Sequence, residues 1–152
     1  MDHFRTKSAL RKDFSSMVVT AALIPEGKRI FVAQRPPWKK FGLLWEFPGG
    51  KVEIGEELEA SLIREIREEL CLEVVVHKFF RTISYSDRDF SIDLHVFWCA
   101  VSGGQMCLRE HVAFKWAYIS ELKGMRLTEA DRLLIPYLEG LSEFPRPSDP
   151  SH

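Results

Sequence analysis

The sequence predicts an α/β fold, in the form of an α+β mixed sheet with helices packed on it. Two observations predict this class. The order of the predicted elements is strand, strand, loop, helix, three strands and a final helix. Hydrophobic residues make up 45% and charged residues 28% of the 152 residues, as in ordinary globular proteins, and this length is enough for one domain with a core.

The first part of the chain is predicted to contain two strands and a loop. Residues 17–24 and 29–34 are rich in apolar and β-branched side chains. Turn chemistry at residues 25–28 lies between them, so we expect the two strands to form a hairpin. A proline pair at positions 36 and 37 then begins a loop, which leads to a short extended segment at residues 45–47.

A helix is predicted from about residue 56 to residue 70. At about 100° per residue its apolar side chains fall in one arc, formed by Leu58, Leu62, Ile63, Ile66 and Leu70. Glu65, Glu68 and Glu69 lie at the border of this arc, at positions i, i+3 and i+4. Carboxylates at this spacing repel each other unless a cation lies between them. A hard divalent cation with oxygen ligands is the obvious candidate.

The second half of the chain is predicted to contain three strands and a helix. Residues 73–85 and 90–101 have the composition of long strands joined by a polar turn. Residues 114–119 form a shorter strand. Thr128 is the expected N-cap of a final helix that ends near residue 141.

These elements predict the domain organisation. We expect one domain at residues 16–141, preceded by an N-terminal arm at residues 1–15. The remaining residues, 142–152, contain three prolines and are expected to form a disordered tail.

Composition limits the partners and the location. The formal net charge of −1 gives no field for an extended nucleic-acid surface, and no apolar run approaches the roughly 18 residues of a membrane helix. Neither a stable nucleic-acid complex nor a membrane partner is therefore expected, and the oligomeric state, monomer or homodimer, stays open. Cys71, Cys99 and Cys107 have no metal-type spacing and fit a reducing compartment better than a disulfide framework. We expect a cytoplasmic protein.

Residues 50–72 resemble the Nudix box, Gly-x5-Glu-x7-Arg-Glu-U-x-Glu-Glu-x-Gly-U, where U is apolar. Every fixed position matches except Cys71, which stands where the pattern has glycine. The preceding residues 44–51, Leu-Trp-Glu-Phe-Pro-Gly-Gly-Lys, resemble the MutT-type branch of this family, the nucleoside triphosphate pyrophosphohydrolases. The resemblance covers roughly residues 16–140. It implies an α/β/α sandwich that carries a catalytic loop and helix.

The resemblance also implies a metal site and its ligands. Glu65, Glu68 and Glu69 are expected to be catalytic and to hold Mg²⁺ or Mn²⁺ together with the backbone carbonyl of Gly49. Glu65 is the expected general base, as in the MutT-type branch. Glu110, six residues before a tryptophan, stands where that branch has a further metal-ligating glutamate; the alternative is an ordinary surface acid.

Two further positions of the box concern its framework. Glu56 and Arg64 are expected to form an ion pair that joins the loop to the helix. In the competing interpretation of this helix, Arg64 and Arg67 pair with the carboxylates of a solvated face. At Cys71, a left-handed helix end would cost on the order of 1 kcal/mol for a residue with a Cβ, unless the helix ends differently there.

Substrate contacts are expected on either side of the metal site. Arg35 stands where the family has an arginine that contacts the phosphate side of the nucleotide, and its planar fork suits a phosphate. Lys51 is a point charge beside the glycines. Lys39 and Lys40 either add to this field or only solvate their loop. For the base, Phe47 is the expected stacking wall.

Asp131 is the candidate reader of the base. An ionised Asp accepts hydrogen bonds only, so it would bind an exocyclic amine, which cytosine, adenine and guanine all carry. The alternative is a first-turn acid favoured by the helix dipole. The two histidines His95 and His111 are expected to be structural or exposed.

The function implied by the resemblance is magnesium-dependent hydrolysis of a nucleoside triphosphate to the monophosphate and pyrophosphate. Oxidised or modified nucleotides such as 8-oxo-dGTP are the expected substrates. Dinucleoside polyphosphates and nucleotide sugars are alternative substrates. A Nudix-fold module that binds nucleotides without turnover is the alternative from another class, although such modules typically lose a helix carboxylate and this chain keeps all three.

Overall fold

A computed structural model describes residues 16–147, which form two β-sheets and four helices. The strands are β1 (Met17–Leu23), β2 (Pro25–Glu26), β3 (Arg29–Gln34), β4 (Trp45–Glu46), β5 (Gly49–Lys51), β6 (Leu72–Ser86), β7 (Ser91–Gly104) and β8 (Ala113–Tyr118). The helices are α1 (Leu58–Leu70), α2 (Ile119–Leu122), α3 (Glu129–Arg132) and α4 (Ile135–Glu139). The predicted N-terminal arm lies outside the described residues.

The first sheet is mixed and has the strand order β5-β1-β7-β6. Strand β1 is parallel to β7, whereas the pairs β1–β5 and β6–β7 are antiparallel. The two long strands β6 and β7 confirm the predicted second-half strands, and their polar turn is closed by the Asp87 side chain. This carboxylate accepts from the N–H groups of Asp89 at 2.8 Å and Phe90 at 3.1 Å.

The second sheet is built around β3, with β8 on one side and the short strands β2 and β4 on the other. The predicted hairpin between residues 17–24 and 29–34 is wrong, because β1 and β3 belong to different sheets. The chain bends after β1, and only β2 and the Ile24 carbonyl pair with β3. The buried run of β1 instead lies between two other strands, as a strand buried on both faces requires.

Helix α1 and the C-terminal helices cover opposite faces of the strands. Leu62, Ile66 and Leu70 of α1 are fully buried against Ala22 and Ile24 and their neighbours. The alternate residues of the same segment, Ala21 and Leu23, belong to the other core cluster, which contains Leu122, Leu134 and Leu138. Successive strand side chains point to opposite faces, so one run of residues serves both cores. The result confirms the predicted α/β/α layering.

The predicted final helix is divided in two. Thr128 is the N-cap of α3, as expected, but α3 ends at Arg132 and α4 begins at Ile135. Pro136 explains the break, because it has no N–H group to donate to the carbonyl of Arg132 and its ring would collide with that carbonyl in a continuous helix.

The C-terminal segment extends the described fold beyond the predicted domain end. Residues 142–147, expected to be part of a disordered tail, are described, and the Phe144 ring lies 5.4 Å from the Trp98 ring, between centroids. Residues 148–152 lie outside the described part. Within residues 16–147, no helix combines the length and apolar character needed to cross a membrane.

Candidate active site

The Gly-Gly loop lies between strand β1 and helix α1. Gly49 pairs with Ala21 and Gly50 with Thr20 in the first sheet. A Cβ at Gly49 would overlap the Thr20 carbonyl, and a Cβ at Gly50 would overlap the Glu65 carboxylate. At position 49 only glycine therefore allows the backbone to come so close to β1, whereas a Cβ at position 50 would force the Glu65 side chain to move.

The loop is attached to the helix by an ion pair, as predicted. The Arg64 guanidinium donates to Glu56 through Nε at 2.7 Å and Nη2 at 3.0 Å, and Nη2 also reaches the Lys51 carbonyl at 3.2 Å. The hydrogen bonds from Arg64 and from the Glu53 N–H lower the pKa of Glu56 to about 2. Glu56 is thus a permanent anion that fixes Arg64 on the loop side of α1.

The three helix carboxylates have different surroundings. Arg64 Nη1 donates to Glu65 at 3.0 Å and to Glu68 at 3.2 Å. The Glu68 side chain is 59% exposed, whereas that of Glu65 is only 17% exposed. Arg67 turns away and pairs with Glu73 at 2.7 and 2.8 Å. The interpretation in which both arginines neutralise this face therefore holds for Arg64 alone.

Glu69 is the most strongly perturbed of the three carboxylates. Its burial raises its pKa to about 9, with further contributions from the negative charges of Glu46, Glu65 and Glu110. Its Oε1 atom is buried and has no hydrogen-bond partner within residues 16–147. Burial likewise raises the pKa of Glu65, against the effect of Arg64. We call Glu46, Glu65, Glu69 and Glu110 the carboxylate cluster.

The donor atoms of this cluster suit a hard divalent cation. They are all carboxylate oxygens, the ligands that Mg²⁺ and Mn²⁺ prefer, and a cation would relieve the repulsion and supply a partner for the buried Oε1 atom of Glu69. In the described part of the chain, however, no three His, Cys, Asp or Glu side chains form a group that could hold a metal ion as they stand. The contacts of Arg64 with Glu65 and Glu68 give the physical reason, because they direct these oxygens toward the guanidinium.

The loop of residues 105–112 closes the site from the side of Glu110. Its backbone N–H groups at Cys107 and Arg109 donate to the carbonyls of Leu70 and Glu69, each at 3.0 Å. Glu110 itself pairs with Lys39 at 2.7 Å. The loop therefore brings Glu110 to the end of α1.

Glu46 was not predicted as a site residue. It lies on β4, where its carboxylate contacts Arg35 Nη1 at 3.0 Å and His111 Nε2 at 2.8 Å. The signal that identifies it is the two-residue alternation of the segment Trp45-Glu46-Phe47, in which the polar side chain points away from two apolar neighbours. His111, expected to be structural or exposed, is buried.

The same alternation corrects the expectation for Phe47. Its side chain is 3% exposed and packs in the core together with Leu127 and Leu134. In this structure it presents no open ring face for a base, because it points to the core face of its extended segment. Its backbone N–H is the group that faces a predicted site residue, and it donates to Asp131 Oδ2 at 2.9 Å.

Asp131 is buried next to the segment of Glu46 and Phe47. Burial raises its pKa to about 7, and the charge of Glu46 acts in the same direction, whereas the Phe47 N–H lowers it. The helix dipole alone does not explain this residue, because its carboxylate lies in the interior and α3 is only four residues long. At neutral pH the protonated form, which can donate, and the ionised form, which only accepts, are both populated.

Two basic residues complete the set of predicted contacts. Arg35 donates from Nε to the Lys40 carbonyl at 2.9 Å in addition to its contact with Glu46. Lys51 is exposed at the end of the Gly-Gly strand. Lys40 does not join them, because its ammonium lies over the rings of Phe41 and Phe90, at 5.2 and 4.7 Å from their centroids.

Helix α1 ends at a residue in the left-handed conformation, at the position where the family pattern has glycine. Cys71 has φ 61° and ψ 24° and donates its N–H to the Arg67 carbonyl. It forms a disulfide with Cys107, with 5.6 Å between the Cα atoms. This pair contradicts the prediction from the cysteine count, which favoured a reducing compartment over a disulfide framework. It links the end of the helix to the loop that carries Glu110. Cys99 is free and buried.

Fold, loop and carboxylate cluster together define a Nudix hydrolase domain. The NUDIX domain matches residues 15–138, and the chain belongs to this family, whose members generally use divalent metal ions. It is a hydrolase of the MutT type. Its relatives and structural neighbours agree on this class.

Two curated relatives match nearly all of their own length. The CTP pyrophosphohydrolase of Escherichia coli is 35% identical over 133 residues, which are 86% of this chain and 96% of that protein. The 8-oxo-dGTP diphosphatase of Buchnera aphidicola from Schizaphis graminum is 33% identical over 126 residues, 83% of this chain and 95% of that protein.

Two solved structures have the same fold. The solution structure of the Escherichia coli ORF135 protein has a TM-score of 0.74 and 33% identity, and covers 91% of this chain and 98% of its own. The MutT NUDIX hydrolase from Burkholderia pseudomallei has a TM-score of 0.71 and 25% identity, and the match covers 80% of this chain and 97% of that protein.

The left-handed end of α1 leads to a prediction for two single variants. Closing a loop across a separation of 36 residues stabilises the folded chain by at most about 4 kcal/mol, so we expect Cys107→Ser to lower the unfolding free energy under oxidising conditions. Under reducing conditions Cys71→Gly should be more stable than Cys107→Ser by about 1 kcal/mol, because glycine adopts this conformation without a Cβ penalty.

Urea unfolding of both variants and the wild type, with and without dithiothreitol, measures both differences. The wild type serves as its own control, since the reductant should lower its unfolding free energy and leave that of Cys107→Ser unchanged. If dithiothreitol does not change the unfolding free energy of the wild type, the prediction that the disulfide stabilises the fold is wrong.

The buried carboxyl of Asp131 leads to a pH prediction. Its folded pKa of about 7 lies above the unfolded value of roughly 4, so this group lowers the stability progressively as the pH rises from 4 through 7. Asp131→Asn keeps an acceptor for the Phe47 N–H and removes the ionisation. We expect its melting temperature, relative to wild type, to rise between pH 5 and pH 8.

Thermal unfolding of both proteins at several pH values measures this trend, with Asp89→Asn as the matched control at an exposed turn position. A difference between Asp131→Asn and wild type that does not change with pH would show that Asp131 does not titrate in this range.

Proposed function

We propose that this hydrolase converts nucleoside triphosphates to nucleoside monophosphates and pyrophosphate. The observation that carries the proposal is the burial of Glu69 among three other carboxylates, one of which, that of Glu65, lies directly against Gly50. A cluster of this kind is costly unless cations and phosphates complete it. We also propose a cytoplasmic location, since the substrate is a soluble nucleotide.

The metal ions in this proposal are Mg²⁺ or Mn²⁺. Their ligands are the carboxylates of Glu65, Glu68, Glu69 and Glu110 and the carbonyl of Gly49. The exposure of Glu68 supports this set, because its unbranched side chain can turn from Arg64 without disturbing the core. Bound ions of this type neutralise the phosphate oxygens and lower the pKa of bound water.

Glu65 is the proposed general base. Water attacks one phosphorus atom of the α–β phosphoanhydride, the bond from that phosphorus to the bridging oxygen breaks, and the group on the other side of this oxygen leaves with the electron pair. Glu65 accepts the proton of the water. The position of Glu65 supports this role, because its carboxylate lies directly against Gly50 of the Gly-Gly strand and is largely buried.

The phosphate groups are proposed to bind on the side of Arg35 and Lys51. Within residues 16–147 the Nη2 group of Arg35 has no hydrogen bond in addition to those that Nη1 makes with Glu46 and Nε with the Lys40 carbonyl, and Lys51 is exposed. Both charges lie on strands or strand ends that border the carboxylate cluster. A triphosphate bound between them and the metal ligands would have its negative charges matched on two sides.

The base is proposed to bind at Asp131. With a pKa of about 7, this carboxyl can accept from an exocyclic amine or donate to a base carbonyl, so it suits guanine, 8-oxoguanine and cytosine, which carry both groups. The similarity to 8-oxo-dGTP diphosphatases supports 8-oxo-dGTP. The 35% identity with a CTP pyrophosphohydrolase over 96% of its length favours cytosine nucleotides as the second candidate. Phe47 contributes through its backbone rather than as a stacking wall.

A kinetic screen of normal and oxidised triphosphates with Mg²⁺ tests the substrate. We expect triphosphates to be hydrolysed to monophosphate and pyrophosphate, with 8-oxo-dGTP ranked above dGTP by kcat/KM. A ranking in which guanine forms do not exceed cytosine forms removes the 8-oxoguanine assignment and favours the cytosine one. Dinucleoside polyphosphates and nucleotide sugars belong in the same screen, and a preference for them would overturn the triphosphate proposal.

Glu65→Gln is the matched control in this screen, since it removes the base and keeps the size of the side chain. We expect its kcat to fall by roughly 10²- to 10⁴-fold, with its melting temperature close to that of the wild type. Near-normal turnover in this variant would remove Glu65 from the role of general base.

A further inference from the structure

His111 is a buried histidine that the reaction described above does not use. Its side chain is 2% exposed, and Nε2 lies 2.8 Å from Oε2 of Glu46. Since a carboxylate only accepts hydrogen bonds, Nε2 must carry the proton. Its Nδ1 atom is buried without a hydrogen-bond partner in the described range 16–147, which is tolerable for a bare ring nitrogen and more costly for an N–H group.

Glu46 occupies a position between the two halves of the site. Its other oxygen, Oε1, accepts from Arg35 at 3.0 Å, and its charge acts on Glu69 and on Asp131, raising the pKa of both. A carboxylate buried close to two other acidic groups stays in place only if donors hold it. Arg35 and His111 are those donors.

His111 also connects Glu46 to the loop of residues 105–112. This loop is joined to the end of α1 by two backbone hydrogen bonds and to β3 by a third, from the N–H of Val112 to the carbonyl of Gln34 at 3.0 Å. His111 lies between Glu110 and Val112 on this loop. The ring therefore fixes the distance between the β4 segment and the loop that carries Glu110.

We propose that His111 is a positioning residue for the phosphate side of the site: its Nε2–H group fixes the Glu46 carboxylate, which in turn orients the Arg35 guanidinium toward the substrate. The inference rests on the triphosphate substrate proposed above. His111 contacts neither substrate nor metal in this arrangement and acts only through Glu46.

The first test measures the effect of His111 on substrate binding. His111→Leu fills the buried site without a donor, whereas His111→Gln can still donate to Glu46. We expect His111→Leu to lower kcat/KM for the best triphosphate about 10- to 100-fold, mainly through a higher KM, as is typical when a partner of a site residue is removed. His111→Gln should recover most of this loss.

Separate values of KM and kcat distinguish a positioning role of His111 from a purely structural one. If His111 only stabilised the fold, its loss would reduce the fraction of active enzyme and therefore kcat, with KM unchanged. His95→Leu is the matched control, because His95 also makes one side-chain hydrogen bond, between its Nδ1 atom and Thr82 Oγ1 at 2.8 Å, but lies on β7. We expect its kinetics to match the wild type.

A double-mutant cycle tests whether His111 acts through Glu46. With Glu46→Gln in place, adding His111→Leu should change kcat/KM by less than about 2-fold, because the carboxylate that His111 holds is already gone. Independent effects that multiply in the double variant would overturn the proposal. So would a folded His111→Leu protein with wild-type KM.

Imidazole nitrogen NMR provides a readout that needs no activity. We expect the wild type to have the Nε2–H tautomer at His111, and Glu46→Gln to speed the exchange of this proton with water. An Nδ1–H tautomer in the wild type would overturn the proposal, even if His111→Leu does not fold. If the wild type hydrolyses no triphosphate, the proposed function fails, and the NMR result still decides whether His111 holds Glu46.

Discussion

The Arg64 guanidinium is the interaction on which the site depends. It joins Glu56 and the Lys51 carbonyl on the loop to Glu65 and Glu68 on the helix. It compensates the repulsion within one turn of α1 and fixes the Gly-Gly strand against that turn. Glu69 lies beyond its reach, in the buried part of the cluster. The carboxylate with the most perturbed pKa is therefore the one that this arginine does not neutralise. It keeps its proton near neutral pH, and an external cation would displace that proton.

The helix and its loop could be predicted from the sequence because their geometry is local. A 3.6-residue period fixes which glutamates share a face, and the ion pair between Glu56 and Arg64 follows from the family pattern. The hairpin could not be predicted in this way. Two adjacent apolar strands satisfy the same local signals whether they pair with each other or with distant strands, and the burial of β1 on both faces decided the outcome. In the final helix, the proline signal at Pro136 was present in the sequence and outweighed the helical pattern.

Site residues could be predicted where the residue type determines the role. They were harder to predict where the role depends on the direction in which the side chain points. Glu46 and Phe47 are neighbours, and the orientation of one extended segment decides that the carboxylate faces the site and the ring faces the core. The contacts of Glu46 with His111 and of Glu69 with the loop after β7 join residues far apart in the chain. No sequence spacing predicts these contacts, because the packing of the sheets determines which distant residues lie next to each other.

The parallel pairing of β1 with β7 has a consequence for how the domain is made. Met17 pairs with Ile92 and Leu23 with Trp98, across the entire loop, helix and β6. During synthesis, β1 therefore cannot pair with β7 until most of the domain has left the ribosome. Its antiparallel partner β5 is available much earlier. The β1–β5 pair is close in sequence and the β1–β7 pair is distant, so we expect β1 and β5 to pair early and β7 to join the sheet late. Contacts between distant residues of this kind slow folding.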